Sequence, residues 1–197
     1  MAFPELIIFD CDGVLVDSEL IANKSLAEHL TKHGFKITDE ESRSRFIGYS
    51  MAKIIREVQA EGVNLPDNFE TFLKQADQTA FTAELKAISG VANTLSQLPH
   101  LKCVASSGAP VKIEKNLALT GLIDYFESDH LFSAHMVENS KPAPDLFLHS
   151  ADYFNVNPKN CLVIEDTVLG IQAGHAAGMS VFGFVGGSHC NDAYVAL

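Results

Sequence analysis

Four short, largely apolar runs, Leu6–Phe9, Lys102–Ala105, Cys161–Ile164 and Val181–Val185, are spread along the chain with helix-like periodicity between them. Runs of that length, rich in Val, Ile, Leu and Phe, suit strands covered on both faces, and their alternation with helical segments predicts helices packed on a parallel sheet. The expected fold class is therefore α/β, a Rossmann-like doubly wound parallel sheet. His130–Ala134 is a weaker candidate for a fifth strand. In open sheets of this kind, ligands bind beyond the C-terminal strand ends. Polar residues gather there: Asp10 and Asp12 after the first run, Ser106-Ser107-Gly108 after the second, and Glu165-Asp166 after Cys161–Ile164.

Roughly 90 residues separate the first two runs, where a crossover needs a few dozen. An inserted helical domain over residues 15–82 explains the excess, leaving 1–14 and 83–197 as the sheet domain. Inside it, Ser18–His33 closes on Gly34, Met51–Ala60 closes on Gly62, and Asp67–Leu85 runs without proline or glycine. The chain stops soon after Gly186-Gly187, and Tyr194–Leu197 is too short to complete another strand and helix. Hydrophobic residues at 47% and charged residues at 20% of the 197 are ordinary globular usage. A net charge of −11 leaves no basic footprint for nucleic acid, though one metal ion and one lysine can still hold a small phosphate in an acidic protein. No leader-like N-terminus or membrane-length apolar run is present, so the expectation is a cytoplasmic monomer with neither nucleic acid nor membrane as partner. Cys11, Cys103, Cys161 and Cys190 are widely spaced and read as free thiols.

The segment Phe9-Asp10-Cys11-Asp12-Gly13-Val14-Leu15-Val16-Asp17-Ser18 runs an apolar strand into two acids one residue apart, then a glycine. Were the strand to continue, both acids would share a face. Two carboxylates buried together are costly without a cation, and a divalent ion such as magnesium removes that cost by accepting oxygen ligands. Alone, the pair beside a glycine would read as a solvated turn. Ser106 suits a helix N-cap as well as a ligand contact. Lys141, followed by proline and so biased towards an extended backbone, suits an ordinary surface position as well as a cleft.

The opening segment resembles the DxDGxLxDS signature of the haloacid dehalogenase superfamily with every fixed position filled. Three further motifs of that family recur in order: Ser106 within Val104-Ala105-Ser106-Ser107-Gly108, Lys141 within Lys141-Pro142-Ala143-Pro144-Asp145, and Glu165-Asp166 ahead of Gly170, Gly174 and Gly178. The likeness covers nearly the whole chain. Its wording is similar to the β-phosphoglucomutase-like and sugar-phosphatase subgroup, and within that to the bacterial 6-phosphogluconate phosphatases. The resemblance implies a magnesium-dependent phosphatase acting on a small phosphorylated metabolite, a sugar or sugar-acid phosphate. Asp10 would be the nucleophile that forms an aspartyl-phosphate, and Asp12 the general acid and base. Ser106, the Ser107 and Gly108 amides and Lys141 would bind the phosphoryl group. Asp10, Asp12 through its carbonyl, and Asp166 would hold Mg2+, with Glu165 either coordinating or orienting Asp166. The insertion corresponds to the family's cap, expected to close over the site about hinges near Val14–Asp17 and Thr82–Ala87.

Competing readings follow from single positions. Mutases of the subgroup carry a histidine where Ala22 stands and a cap arginine near Met51, so hydrolysis is favoured over a phosphomutase. Asp12 disfavours dehalogenation, in which the leaving halide needs no proton. Lys24 and Lys53 carry no mark of a Schiff-base lysine for phosphonate cleavage. A module that binds phosphate without turnover is the non-enzymatic alternative. His29 and His33 have zinc-compatible spacing on one helix but no cysteine or acid partners, and read as solvated. Gly170, Gly174 and Gly178 read as close packing and a helix end, and Phe132, Phe147 and Phe154 as core. Asp17 and Ser18 read as hinge and helix cap.

Overall fold

A computed structural model describes residues 3–46, 49 and 51–190. The chain divides into two compact units, one made of residues 1–17 and 86–197, the other of Ser18–Leu85. Residues 15–17, assigned from sequence to the insertion, pair within the sheet unit: Val16 bridges Ala87, Asp17 N donates to Lys86 O at 2.9 Å, and Ile88 N donates to Leu15 O at 2.9 Å. The outgoing and returning chains are thus held side by side before the helical unit begins. Tyr194–Leu197 lies outside the described residues.

The sheet unit carries β1 (Leu6–Phe9), β2 (Leu101–Ser106), β3 (Leu131–Ser133), β4 (Cys161–Glu165) and β5 (Ser180–Gly183). They lie in the order β3-β2-β1-β4-β5 with every neighbouring pair parallel. The four predicted strands are present, and β3 is the weaker fifth. All the strands therefore point their C-terminal ends to one edge. Central strands are dry: Leu6, Ile8, Cys103, Ala105, Cys161 and Val163 form one core with Phe132, Leu146, Phe147 and Ala173, and Phe154 packs against it. Registers set the levels at the working edge, with Phe9 opposite both Val104 and Ile164. One residue on, Asp10 comes level with Ala105 and Glu165.

The helical unit holds α1 (Glu19–Lys32), α2 (Asp39–Phe46), α3 (Met51–Ala60) and α4 (Phe69–Glu84). Its own core is Leu26, Leu30, Phe35, Phe46, Ile54, Val58, Leu65, Phe69 and Leu73. Gly34 and Gly62 follow α1 and α3 at φ +93° and +88°, the left-handed exits that favour glycine there. Helix α2 is not among the helices expected from sequence, and its start is a capping box: Glu41 N donates to Thr38 Oγ1 at 3.2 Å and Thr38 N donates to Glu41 Oε2 at 2.8 Å. Ser18 stands at the N-cap of α1 but makes no side-chain capping bond. His29 and His33 place Nδ1 3.1 and 2.8 Å from the Ser25 and His29 carbonyls of their own helix. Neither belongs to a metal-ligating cluster among the described residues. The four cysteines are free, and Cys11, Cys103 and Cys161 are buried. No described helix is long and apolar enough to cross a membrane.

In the sheet unit, α5 (Val91–Gln97), α6 (Pro110–Leu119), α7 (Asp145–Tyr153) and α8 (Val168–Ala176) flank the strands. Two of the glycines in the fourth motif are spaces filled by neighbours. A Cβ on Gly170 would stand 2.0 Å from the Glu165 carboxylate, and one on Gly174 would stand 2.6 Å from Val181. Gly178 turns the chain after α8 at φ +74°.

Candidate active site

The strand does not carry both acids on one face, because it ends at Phe9 and the chain turns over the next residues. Asp10 N still donates to Ile164 O at 2.9 Å, but Leu15 N and Val16 N both return to Cys11 O, and Gly13 takes φ +83°. The two carboxylates consequently have different surroundings. Asp10 is buried, whereas Asp12 is half-buried and faces α6. There Lys112 Nζ donates to Asp12 Oδ2 at 2.7 Å, and Asn116 Nδ2 approaches Oδ1 at 3.4 Å. The four-residue spacing of Lys112 and Asn116 puts both on one face of α6. Neither residue was singled out from the sequence, where both look like ordinary helix positions.

Lys141 crosses from the loop before α7 to the end of the sheet. Its ammonium donates to Asp10 Oδ1 at 2.6 Å, to Glu165 Oε2 at 2.7 Å and to Ala105 O at 3.1 Å, with the side chain only 5% exposed. The loop behind it is tied to α7, since Asn139 donates from N and Nδ2 to Asp145 Oδ2 at 3.2 and 3.0 Å. Burial by itself would lower the Lys141 pKa, but the charges of Asp10 and Glu165 outweigh it and hold the ammonium protonated. Burial pushes the Asp10 carboxyl well above the usual range; Lys141 pulls it down, while Glu165 and Asp166 push it up.

Glu165 is fully buried, and both its oxygens have partners. Oε2 accepts from Lys141, and Oε1 accepts from Thr167 N at 3.0 Å and Thr167 Oγ1 at 2.8 Å. Glu165 thus ties the Lys141 ammonium to the backbone and side chain of Thr167. Asp10, Glu165 and Asp166 each offer a carboxylate oxygen within 4.8 Å of the others, all three residues buried. Three carboxylates beside one lysine suit an oxygen-seeking divalent cation, whose charge would offset their mutual repulsion.

Ser106 closes β2 and is 2% exposed, but it does not cap α6. Its Oγ accepts from Gly108 N at 3.1 Å, so that amide is engaged inside its own loop. Ser133 at the end of β3 steadies the same loop by donating from Oγ to Gly108 O at 2.6 Å. Ser107 is exposed at its outer edge. Beside Asp166 the structure brings a residue that the sequence reading passed over: His189 Nε2 lies 2.9 Å from Asp166 Oδ2, both side chains 1% exposed. The signal in the chain is positional: Gly186-Gly187-Ser188-His189-Cys190 directly follows the apolar run Val181–Val185.

Asp10, Ser106, Lys141, Glu165 and Asp166 thus converge from three strand ends and one loop, with Asp12 on the turn beside them. The arrangement offers a buried carboxylate, a fixed ammonium, a hydroxyl and a half-buried acid, enough for nucleophilic attack on an anionic centre with proton transfer.

The sequence profile of the haloacid dehalogenase-like hydrolases matches residues 7–184. A 6-phosphogluconate phosphatase of Escherichia coli is 36% identical over 187 residues, spanning 94% of this chain and 84% of that protein. Among solved structures, a haloacid dehalogenase-like protein of Agrobacterium tumefaciens superposes with a TM-score of 0.90 at 37% identity, covering 99% of this chain and 88% of that one. A haloacid dehalogenase family hydrolase of Deinococcus radiodurans, with phosphate and sodium bound, superposes with a TM-score of 0.81 at 29% identity, covering 99% of this chain and 87% of that one.

Proposed function

Because the chain belongs to the haloacid dehalogenase-like hydrolase family, we propose that it is a cytoplasmic, magnesium-dependent phosphatase that cleaves a small sugar or sugar-acid phosphate through an aspartyl-phosphate on Asp10. The observation that carries this reading is the buried array of Asp10, Lys141 and Glu165 at the strand ends, with Asp166 in the same cluster. The substrate class rests on the 6-phosphogluconate phosphatase relative.

Asp10 and Asp166, with the Asp12 carbonyl, would hold the magnesium ion, while Glu165 keeps Lys141 in place. Bound there, the ion supplies positive charge that offsets the carboxylates and polarises a phosphoryl oxygen. Lys141 and the Ser106 hydroxyl bind phosphoryl oxygens, which aligns phosphorus with Asp10. A carboxylate oxygen of Asp10 attacks phosphorus as the ester P–O bond breaks, and Asp12 gives its proton to the departing alkoxide. Water then attacks the aspartyl-phosphate and loses its proton to Asp12. The Asp10 O–P bond breaks, releasing inorganic phosphate and restoring the carboxylate. Lys112 and Asn116 hold Asp12 for both proton transfers.

A panel of phosphorylated metabolites tests the reading, with phosphate release followed with magnesium and with a chelator. Hydrolysis should require magnesium, disappear in Asp10→Asn, and fall by about 10²–10⁴-fold in Asp12→Asn. Chelator-insensitive turnover, or turnover surviving in Asp10→Asn, overturns it; a flat profile across the panel removes the dedicated sugar phosphate.

A further inference from the structure

Past β5 the chain returns to the site with a group that the reaction above does not use. His189 is 5% exposed, and its Nε2 stands 2.9 Å from Asp166 Oδ2. Two glycines from distant segments shape the space for this pair. A Cβ on Gly187 would stand 2.6 Å from His189 Cε1 and 2.9 Å from Gly13 O. A Cβ on Gly13 would stand 2.1 Å from Asp166 Oδ2 and 3.0 Å from His189 Cε1. Any larger residue at either position would collide with the carboxylate or the ring, and Gly13 also needs its positive φ.

The segment is fastened on both sides of the ring. Ser188 donates to Asp17 Oδ1 from N at 3.2 Å and from Oγ at 2.7 Å, and Cys190 N donates to Gly187 O at 3.0 Å. His189 is therefore aimed at Asp166 from a fixed backbone rather than from a free loop. Packing alone would call for an apolar side chain in a slot this dry; a ring nitrogen at hydrogen-bond distance from a buried carboxylate has a polar task.

We propose that His189 is a positioning residue for Asp166: donation from Nε2–H to Oδ2 fixes the rotation of the carboxylate, so that it is already oriented for the cation before the cation arrives. The inference rests on the reading of Asp166 as a magnesium ligand. Hydrogen bonds to ligating side chains act in this way elsewhere, and their removal weakens metal binding by about 10–100-fold.

Mn2+ serves as the probe, titrated into the substrate-free protein and followed by electron paramagnetic resonance, which needs no turnover. His189→Ala should weaken Mn2+ by about 10–100-fold. His189→Gln, which keeps an N–H donor at a similar reach, should recover most of that loss. Mn2+ affinity in His189→Ala equal to wild type, with only a lowered Tm, overturns the proposal and leaves the phosphatase reading standing. A wild-type protein that binds no Mn2+ overturns both. Should the variants fail to fold, the ring nitrogens of 15N-histidine-labelled wild type replace them: the His189 Nε2 resonance should shift on Mg2+ addition, saturating with the site. A stationary resonance while Mg2+ binds overturns the proposal.

Discussion

Lys141 Nζ donates to Glu165 Oε2 at 2.7 Å, so the acid next to Asp166 in sequence serves the lysine of another motif. The same ammonium reaches Asp10 Oδ1 at 2.6 Å, which makes it the shared counter-charge of two buried carboxylates.

Removing that counter-charge should destabilise the fold as well as the reaction. Lys141→Met leaves Asp10 and Glu165 buried without their ammonium, and breaking buried ion pairs in this way costs about 3–5 kcal/mol. Urea unfolding in magnesium-free buffer measures it. A loss below about 1 kcal/mol, the range of an exposed pair, contradicts the burial argument.

Magnesium should act on stability in the opposite direction. An ion that binds only the folded protein adds about 2.7 kcal/mol at one hundred times its Kd. Thermal unfolding of the wild type should show this increment, and Asp166→Asn should lose most of it. An equal shift in the variant removes Asp166 from the ligand set.

Gly170→Ala separates helix propensity from packing. Within α8, alanine is favoured over glycine by about 1 kcal/mol. Its Cβ, however, would stand 2.0 Å from the Glu165 carboxylate, which Lys141 and Thr167 hold in place. The collision should win, with a net loss of about 1–3 kcal/mol and reduced turnover through a displaced Lys141. A stabilised, fully active variant would show that Glu165 can move freely.

Alkaline pH should weaken the sheet unit through its thiols. Burial pushes Cys11 and Cys103 well above the ordinary value, and burial followed by the nearby Glu5 charge pushes Cys161 up to about 11. A thiol that holds its proton more tightly when folded contributes stability fully present below its unfolded pKa and lost as pH rises through the folded one. For Cys161 that window runs from 9.0 to about 11. Tm should hold below it and fall across it, and Cys161→Ala should fall less steeply. Identical slopes in the two proteins refute the assignment.

Much of the fold was legible because its signals are local. β1 matches its predicted run, Leu6–Phe9, and β2, β4 and β5 overlap theirs, since an unbroken apolar run can be buried on both faces wherever it lies. Helix α2 escaped because its apolar content is low, yet Thr38 and Glu41 at capping-box spacing were present to announce it. The pairing of positions 15–17 could not be read locally, because their partners, Lys86 to Ile88, are some seventy residues away in sequence.

The site divides in the same way. Asp10, Asp12, Ser106, Lys141, Glu165 and Asp166 could be named from the chain, since each stands at or near the end of an apolar run or within a motif. Their partners could not. Lys141 is 131 residues from Asp10, Lys112 is 100 from Asp12, and His189 reaches Asp166 from beyond the last motif. The sequence by itself determined the strands, the glycines that make room at the edge, and the kinds of chemical group available there. Only the tertiary structure decided which charge meets which. Apolar burial follows from side chains read along one strand or helix, whereas pairing of buried charges depends on distances between segments, set only when parallel register brings the strand ends level.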